Sequence, residues 1–169
     1  MKVSLLAVIV TAIAATLVLP ALGQGGNDGR KVLDAKVLAP VVEPYTGTAN
    51  PIRGLGGGGL PWQISSGKAD VRSDGRVKVE VEGLVLAQRA PVPANLQGTN
   101  PVPQFKAVVS CQSISGGVAT VANVSTAAVP ASASGDAEIE DHVVLPSPCF
   151  APIVFVTTPG NAWLAVTGR

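Results

Sequence analysis

RVKVEVEGLVL, residues 76–86, is the stretch of the chain that decides its fold class. Valine recurs at every second position, and charged residues fill the positions between: Val77, Val79 and Val81 against Arg76, Lys78, Glu80 and Glu82. Alternation with a period of two places the two sets of side chains on opposite faces of a β-strand. The stretch therefore predicts a strand with one face in the core and the other in water.

A second alternating segment is DAEIEDHVVL, residues 136–145. It places Ala137, Ile139 and, less favourably, Asp141 on one face, with the other face formed by Asp136, Glu138, Glu140 and His142. Further strands are predicted at 32–38, 61–72, 105–112, 118–128, 151–157 and 161–167, separated by turn residues such as Ser73-Asp74-Gly75 and Pro159-Gly160-Asn161. After the N-terminal segment, no window has the apolar period of an amphipathic helix.

About eight short strands without helices indicate an all-β domain. We predict an antiparallel, immunoglobulin-like β-sandwich, with a small β-barrel as the alternative. The proline-rich stretches 88–104 and 145–152 are interpreted as extended connections between strands.

The N-terminus has the order of residues typical of a secretory signal peptide. Lys2 precedes an apolar run from Val3 to Leu19, and helix-breaking Pro20 and small residues follow. We predict cleavage after Gly23, a flexible mature terminus at 24–30 and a single domain at 31–169. The competing interpretation is an uncleaved anchor, because the apolar run nearly spans a bilayer. Cleavage would leave a secreted protein without a stable membrane anchor.

The formal net charge of the chain is +1, and loss of Lys2 with the signal peptide removes it. Nucleic acids and anionic membranes both select proteins with a basic excess, so neither is an expected partner. The expected partner is an extracellular protein or a glycan, bound non-catalytically.

The chain has only two cysteines, Cys111 and Cys149. In an oxidising compartment this number predicts one intramolecular disulfide. A reactive thiol or a metal pair is the alternative, and the single histidine and the lack of a C-x-x-C motif count against it.

RGLGGGGLPW, residues 53–62, contains the G-x-G-x-x-G spacing of dinucleotide-binding loops, at Gly54, Gly56 and Gly59. Such a loop needs a following helix whose amides face the pyrophosphate, but Leu60-Pro61-Trp62 and a strand-like segment follow here. We therefore interpret the glycines as a joint in close contact with another backbone. Trp62, Gly56 and Gly59 form the predicted binding loop, provided that Trp62 is exposed.

The acidic strand offers a weaker candidate, a calcium site built from Asp136, Glu138 and Glu140. The alternative is a solvated face on which Arg76 and Lys78 of a neighbouring strand pair with these acids. A small hydrolase would have to use His142, the only histidine, but no G-x-S-x-G motif presents a serine to it. Apart from calcium, no cofactor is expected.

GKADVRSDGRVKVEVEGL, residues 67–84, is similar to the strand-turn-strand signature of CHRD-type domains, which are secreted β-rich modules. The similarity covers one hairpin, and the histidine-containing segment that follows in those domains is missing. GGGLPW, NPVPQFKAVVSC, GDAEIE and PCFAPIVFV resemble a group of exported bacterial proteins over most of the chain after residue 23. The first resemblance implies a secreted β-rich module and the second an exported protein, and neither implies a catalytic mechanism.

Overall fold

The computed structural model of the protein describes residues 29–168. This part of the chain forms strands and turns and contains no helix. The strands are β1 (Lys31–Ala35), β2 (Leu38–Pro40), β3 (Trp62–Gln63), β4 (Ser66–Arg72), β5 (Arg76–Glu82), β6 (Val85–Leu86), β7 (Gln104–Ser115), β8 (Val118–Ser125), β9 (Val129–Pro130), β10 (Ala137–His142), β11 (Phe150–Thr157) and β12 (Trp163–Thr167). Over residues 29–168, nothing helical is long and apolar enough to cross a membrane.

The alternating stretch forms β5 and pairs with β4 as an antiparallel hairpin. Its three valines, Val77, Val79 and Val81, are almost completely buried, as predicted. The turn between the strands needs Gly75, which has a φ of 99° and lies against the carbonyl of Val143. The Asp74 carboxylate accepts a hydrogen bond of 3.1 Å from the backbone N–H of Arg76 and so closes the turn.

Two antiparallel sheets form the domain. One has the strand order β1-β4-β5-β10, and the other has the order β2-β12-β11-β7-β8, with β9 beside β7; β3 and β6 form a separate short pair. Buried side chains of both sheets, such as Val79 and Ile139 from the first and Phe105 and Phe155 from the second, belong to one hydrophobic core. The predicted β-sandwich is confirmed. The barrel alternative is wrong because both sheets are open and end in edge strands.

The predicted disulfide is confirmed, and it lies within one sheet. Cys111 is on β7, and Cys149 directly precedes β11, the neighbouring strand. In antibody domains the corresponding bond joins the two sheets. Here the bond fixes the start of β11, where the pairing with β7 is interrupted by a bulge between Phe150 and Ile153.

Several predicted strands are shorter or divided in the structure. The segment 61–72 contains β3 and β4, the segment 32–38 contains most of β1 and the start of β2, and 118–128 ends as a strand at Ser125. The last break has a local cause, because the Thr126 hydroxyl accepts a hydrogen bond from the N–H of Ala107 in place of regular pairing. Conversely, β7 runs to Ser115, beyond the predicted end at 112.

The interpretation of 88–104 as an extended connection is wrong. Its backbone folds back in successive turns, with hydrogen bonds from Val92 to Arg89 and from Leu96 to Pro93. Gly98 then bonds to Leu86 of the short β6 strand. The segment is therefore packed on the domain, and its Val92 side chain is buried in the core.

The predicted signal peptide, 1–23, lies outside the described residues, as does most of the predicted flexible segment 24–30. The last two residues of that segment are described and are attached to the β4–β5 turn. Arg30 accepts a hydrogen bond of 2.8 Å from the N–H of Ser73, and the N–H of Gly29 donates to the Asp74 carboxylate.

Candidate interaction surface on the β7–β8 hairpin

The predicted binding loop contains no exposed tryptophan. The side chain of Trp62 is only 4% exposed, and its ring meets that of Phe105 edge to face, with centroids 6.4 Å apart. Because the predicted binding loop depends on an exposed Trp62, this burial argues against the loop as a binding site. Trp62 is a core residue, and of its two predicted companions Gly56 is half-buried and Gly59 is exposed.

The glycines of this loop join it to β12, as the interpretation as a joint requires. The N–H of Trp163 donates to the carbonyl of Gly56, and the N–H of Gly58 donates to the carbonyl of Trp163. A Cβ atom on Gly57 would overlap the carbonyl oxygen of Tyr45. A side chain at this position would therefore push the loop away from its neighbour.

The predicted calcium ligands are not brought together. The Asp136 carboxylate accepts hydrogen bonds from the Ser134 hydroxyl, at 2.6 Å, and from the N–H of Gly83, at 2.8 Å. These donors, with the Ser132 hydroxyl, hold the pKa of the Asp136 carboxyl below its ordinary value. Asp136 thus closes the turn before β10, and its oxygens are already satisfied by the protein.

The remaining acids of β10 lie on a solvated face with lysines. Glu138 forms an ion pair of 2.7 Å with Lys78, and Glu140 lies opposite Lys78 in the strand register. Asp141, which the alternation left on the inner face, accepts a hydrogen bond of 2.7 Å from the N–H of Ala127. Within residues 29–168, no three histidine, cysteine, aspartate or glutamate side chains are arranged to hold a metal ion.

His142, the residue on which a hydrolase would depend, is exposed at the end of β10 opposite Arg76. The N–H of its backbone donates to the Asp141 carboxylate, at 2.7 Å. His142 does not line the surface pockets on the charged sheet, at the glycine-rich loop or at the β7–β8 hairpin.

The β7–β8 hairpin carries apolar side chains that the core does not use. Ile114 is 51% exposed, Val121 is 44% exposed, and Phe150 at the start of β11 is 56% exposed. Gln112 lies directly opposite both Val121 and Phe150 in the register, so these side chains share the outer face of the sheet. We call Ile114, Val121 and Phe150 the hairpin patch; a surface groove of about 510 Å³ runs between them.

The loop around Arg53 marks one boundary of this patch. The Arg53 guanidinium donates to the carbonyls of Ser110, at 2.9 Å, and Ala151, at 2.8 Å, beside the bulge in β11. The amide of Asn123 on β8 donates in turn to the carbonyl of Arg53, at 3.1 Å. One arginine thus connects the three strands that carry the patch. On the outer face of β7, Ser110 is buried at this boundary, while Ile114 beyond it is exposed.

The side of β8 that points away from β7 is also an open sheet edge. Unpaired edges invite association, and proteins usually protect them with charges, proline, bulges or very short strands. β8 has eight residues, VATVANVS, without a charge or a proline, and its register with β7 is continuous. Six of the eight residues are exposed, and Ala122 and Val124 are half-buried.

The other three edges are protected. β1 carries Lys31 and Asp34 and has an irregular register, and β2 has three residues of which the last is Pro40. β10, AEIEDH, carries Glu138, Glu140 and Asp141. Among the edges of the two sheets, β8 alone lacks all of these features.

Comparisons of the chain with protein-family models, with curated proteins and with solved structures found no match. The role of the surface therefore follows from its geometry and chemistry.

Sequence reasoning assigned β8 correctly as a strand but did not identify it as a site. The signal was the lack of charge over residues 118–128, in contrast to the charged alternation of 76–82 and 136–142. A strand without a charged face is typical of the middle of a sheet. Recognising this one as an edge requires the strand order, which the sequence does not contain.

Proposed function

We propose that the protein is a secreted, non-catalytic binding protein that adds an extended segment of a polypeptide partner to the open edge of β8. In this mode of recognition the main chain of the partner forms the hydrogen bonds of a further strand, and alternate side chains provide specificity. The observation that carries the proposal is the contrast between the uncharged, eight-residue edge of β8 and the three protected edges.

The hairpin patch supports the same proposal. A strand added at β8 would place every second side chain on the outer face, next to Val121 and within reach of Ile114. Contiguous exposed apolar surface is typical of interaction sites, whereas single exposed apolar residues are not. The disulfide, which is compatible with export, and the connections of Arg53 hold the patch on a rigid support.

A polypeptide fits this surface better than a glycan. Both tryptophans are buried, and the hairpin patch offers a single exposed aromatic ring, that of Phe150. The unpaired backbone of an edge strand instead matches another peptide backbone.

The proposal is tested by selecting displayed random peptides on the protein, purified from an exporting host that is given the full chain. Selected peptides are then measured against Val121→Lys, which places a charge on the edge strand, and against Val144→Lys as a matched control. Val144 is 87% exposed and lies outside the hairpin, so both variants add one charge at an exposed valine.

Peptides with alternating apolar residues should bind the wild type and Val144→Lys, and lose at least about tenfold in affinity for Val121→Lys, since one lysine protects an edge. Equal binding to all three proteins would contradict strand addition at β8, and so would the absence of any selected peptide if the protein is monomeric.

A further inference from the structure

We infer that the strand that adds to β8 is the β8 strand of a second copy of this chain, paired antiparallel about Val121. The inference rests on the proposed function, because it needs the edge of β8 to be open. It names the partner as a copy of the same chain and fixes the register.

The sequence of β8 is internally symmetric. In VATVANV, residues 118–124, valines occupy the two ends and the centre. Antiparallel pairing about Val121 sets Val121 against its own copy and Val118 against Val124 of the second copy. Ala119 then faces Asn123, and Thr120 faces Ala122.

This register is distinguished from its alternatives by side-chain direction. A two-fold axis perpendicular to the sheet keeps each face continuous, so only residues of the same face lie opposite each other. Among the registers that satisfy this condition, the one centred on Val121 is the only one that sets all three valines against valines. Cross-strand pairs of β-branched residues stabilise a sheet.

The lack of charge on β8 also favours its pairing with a copy of itself. Like charges directly opposite each other destabilise a strand pair, and an isologous antiparallel pair brings a strand against itself. For β10 this would bring together Glu138, Glu140 and Asp141 of two copies. For β8 the uncharged side chains bring no repulsion in any register.

The hairpin patch lies where this pairing would place it next to its own copy. Val121 lies on the two-fold axis, so the patches of both copies would join on one outer face of a continuous sheet. On the inner face, Val118, which is 68% exposed in the single chain, would be covered by Val124 of the second copy. The pairing thus covers an apolar side chain that the single chain leaves in water.

The first test is the oligomeric state, measured by sedimentation velocity from micromolar to millimolar concentration on protein purified from an exporting host that is given the full chain. We expect the wild type and Val144→Lys to form dimers as the concentration rises, and Val121→Lys to remain monomeric. Val118→Lys, at the end of the same strand, is a second edge variant that should weaken the dimer. Unchanged tryptophan fluorescence checks that each variant is folded.

The second test measures the register with single cysteines and a short thiol cross-linker, read on non-reducing gels. Residues directly opposite each other have Cβ atoms about 5 Å apart, so Val121→Cys should cross-link to itself. Val118 and its own copy would be six residues out of register, roughly 20 Å apart. Val118→Cys should therefore cross-link only when it is mixed with Val124→Cys.

The outcomes separate the inference from the proposed function. A wild type that stays monomeric, with peptide binding that Val121→Lys abolishes, would overturn the inference and leave strand addition in place. Dimers that persist in Val121→Lys, or cross-linking of Val118→Cys with itself, would also overturn it. A monomer that binds no peptide at β8 would overturn both.

Discussion

Replacement of Gly57 by alanine should destabilise the protein far more than the same replacement two residues later. A Cβ atom at Gly57 would overlap the carbonyl oxygen of Tyr45 and lie 2.8 Å from Cγ2 of Val41, which is fully buried. The Tyr45 oxygen is a backbone atom, and the chain near it is held to this loop by a hydrogen bond of 2.7 Å from the N–H of Gly57 to the carbonyl of Gly47. Overpacking of this kind lowers the free energy of unfolding by about 3 kcal/mol. The lower conformational entropy of the unfolded alanine variant offsets roughly 0.5 kcal/mol of this loss.

Gly59 is the matched control. A Cβ atom there meets nothing within 4 Å, and its φ is not in the left-handed region, so Gly59→Ala should be neutral or stabilise the fold by roughly 0.5 kcal/mol. Urea unfolding followed by tryptophan fluorescence measures both variants, because Trp62 and Trp163 are buried close to this loop. A free energy of unfolding for Gly57→Ala within about 0.5 kcal/mol of that of Gly59→Ala would refute the close approach as the reason for the glycine.

Two further predictions concern the disulfide and the turn before β10. Because Cys111 and Cys149 are 38 residues apart, Cys111→Ala with Cys149→Ala should lower the free energy of unfolding by about 4 kcal/mol on the chain-entropy model, measured by denaturant titration; a loss below about 1 kcal/mol would contradict it. Asp136→Asn should lower stability by about 1 kcal/mol at neutral pH, because hydrogen bonds from Ser134 and Gly83 favour the charged carboxylate. Folding lowers the pKa of Asp136, so the contribution of this carboxylate to the free energy of unfolding is present above the ordinary value of 3.8 and is lost as the pH falls through the folded value. The stabilities of the wild type and Asp136→Asn should therefore converge in acid. A stability difference that does not change with pH would contradict this origin.

The fold class followed from the sequence because charge and apolarity alternate wherever one face of a strand meets water. Val77, Val79 and Val81 are buried in the order that the alternation predicts. The disulfide followed from the number of cysteines and the expected compartment. The alternation is a local signal, and the disulfide needs only a count of cysteines.

The site did not follow from the sequence, because it depends on which strands are neighbours. Trp62 lies beside a glycine-rich loop, a setting that predicts exposure, yet the glycines allow the loop to pack so closely that the ring reaches Phe105 in the core. The charge of β10 suggested ligands, but Lys78 of the neighbouring β5 pairs with Glu138, and Ser134 of the preceding turn donates a hydrogen bond to the Asp136 carboxylate. The partner of Trp62, Phe105 on β7, comes from a strand whose neighbours the sequence leaves open.

The small net charge of the chain does not prevent association at the open edge of β8. A protein with a large net charge keeps its copies apart by long-range repulsion even when a sheet edge is unpaired. This chain has a formal net charge of +1, and its lysines and acids neutralise one another in pairs on the face of the first sheet. Protection against association therefore depends on local features at each edge, and β8 has none of them. An edge of this kind would lead to uncontrolled aggregation unless one partner occupied it in a defined register, and the symmetric placement of Val118, Val121 and Val124 provides such a register.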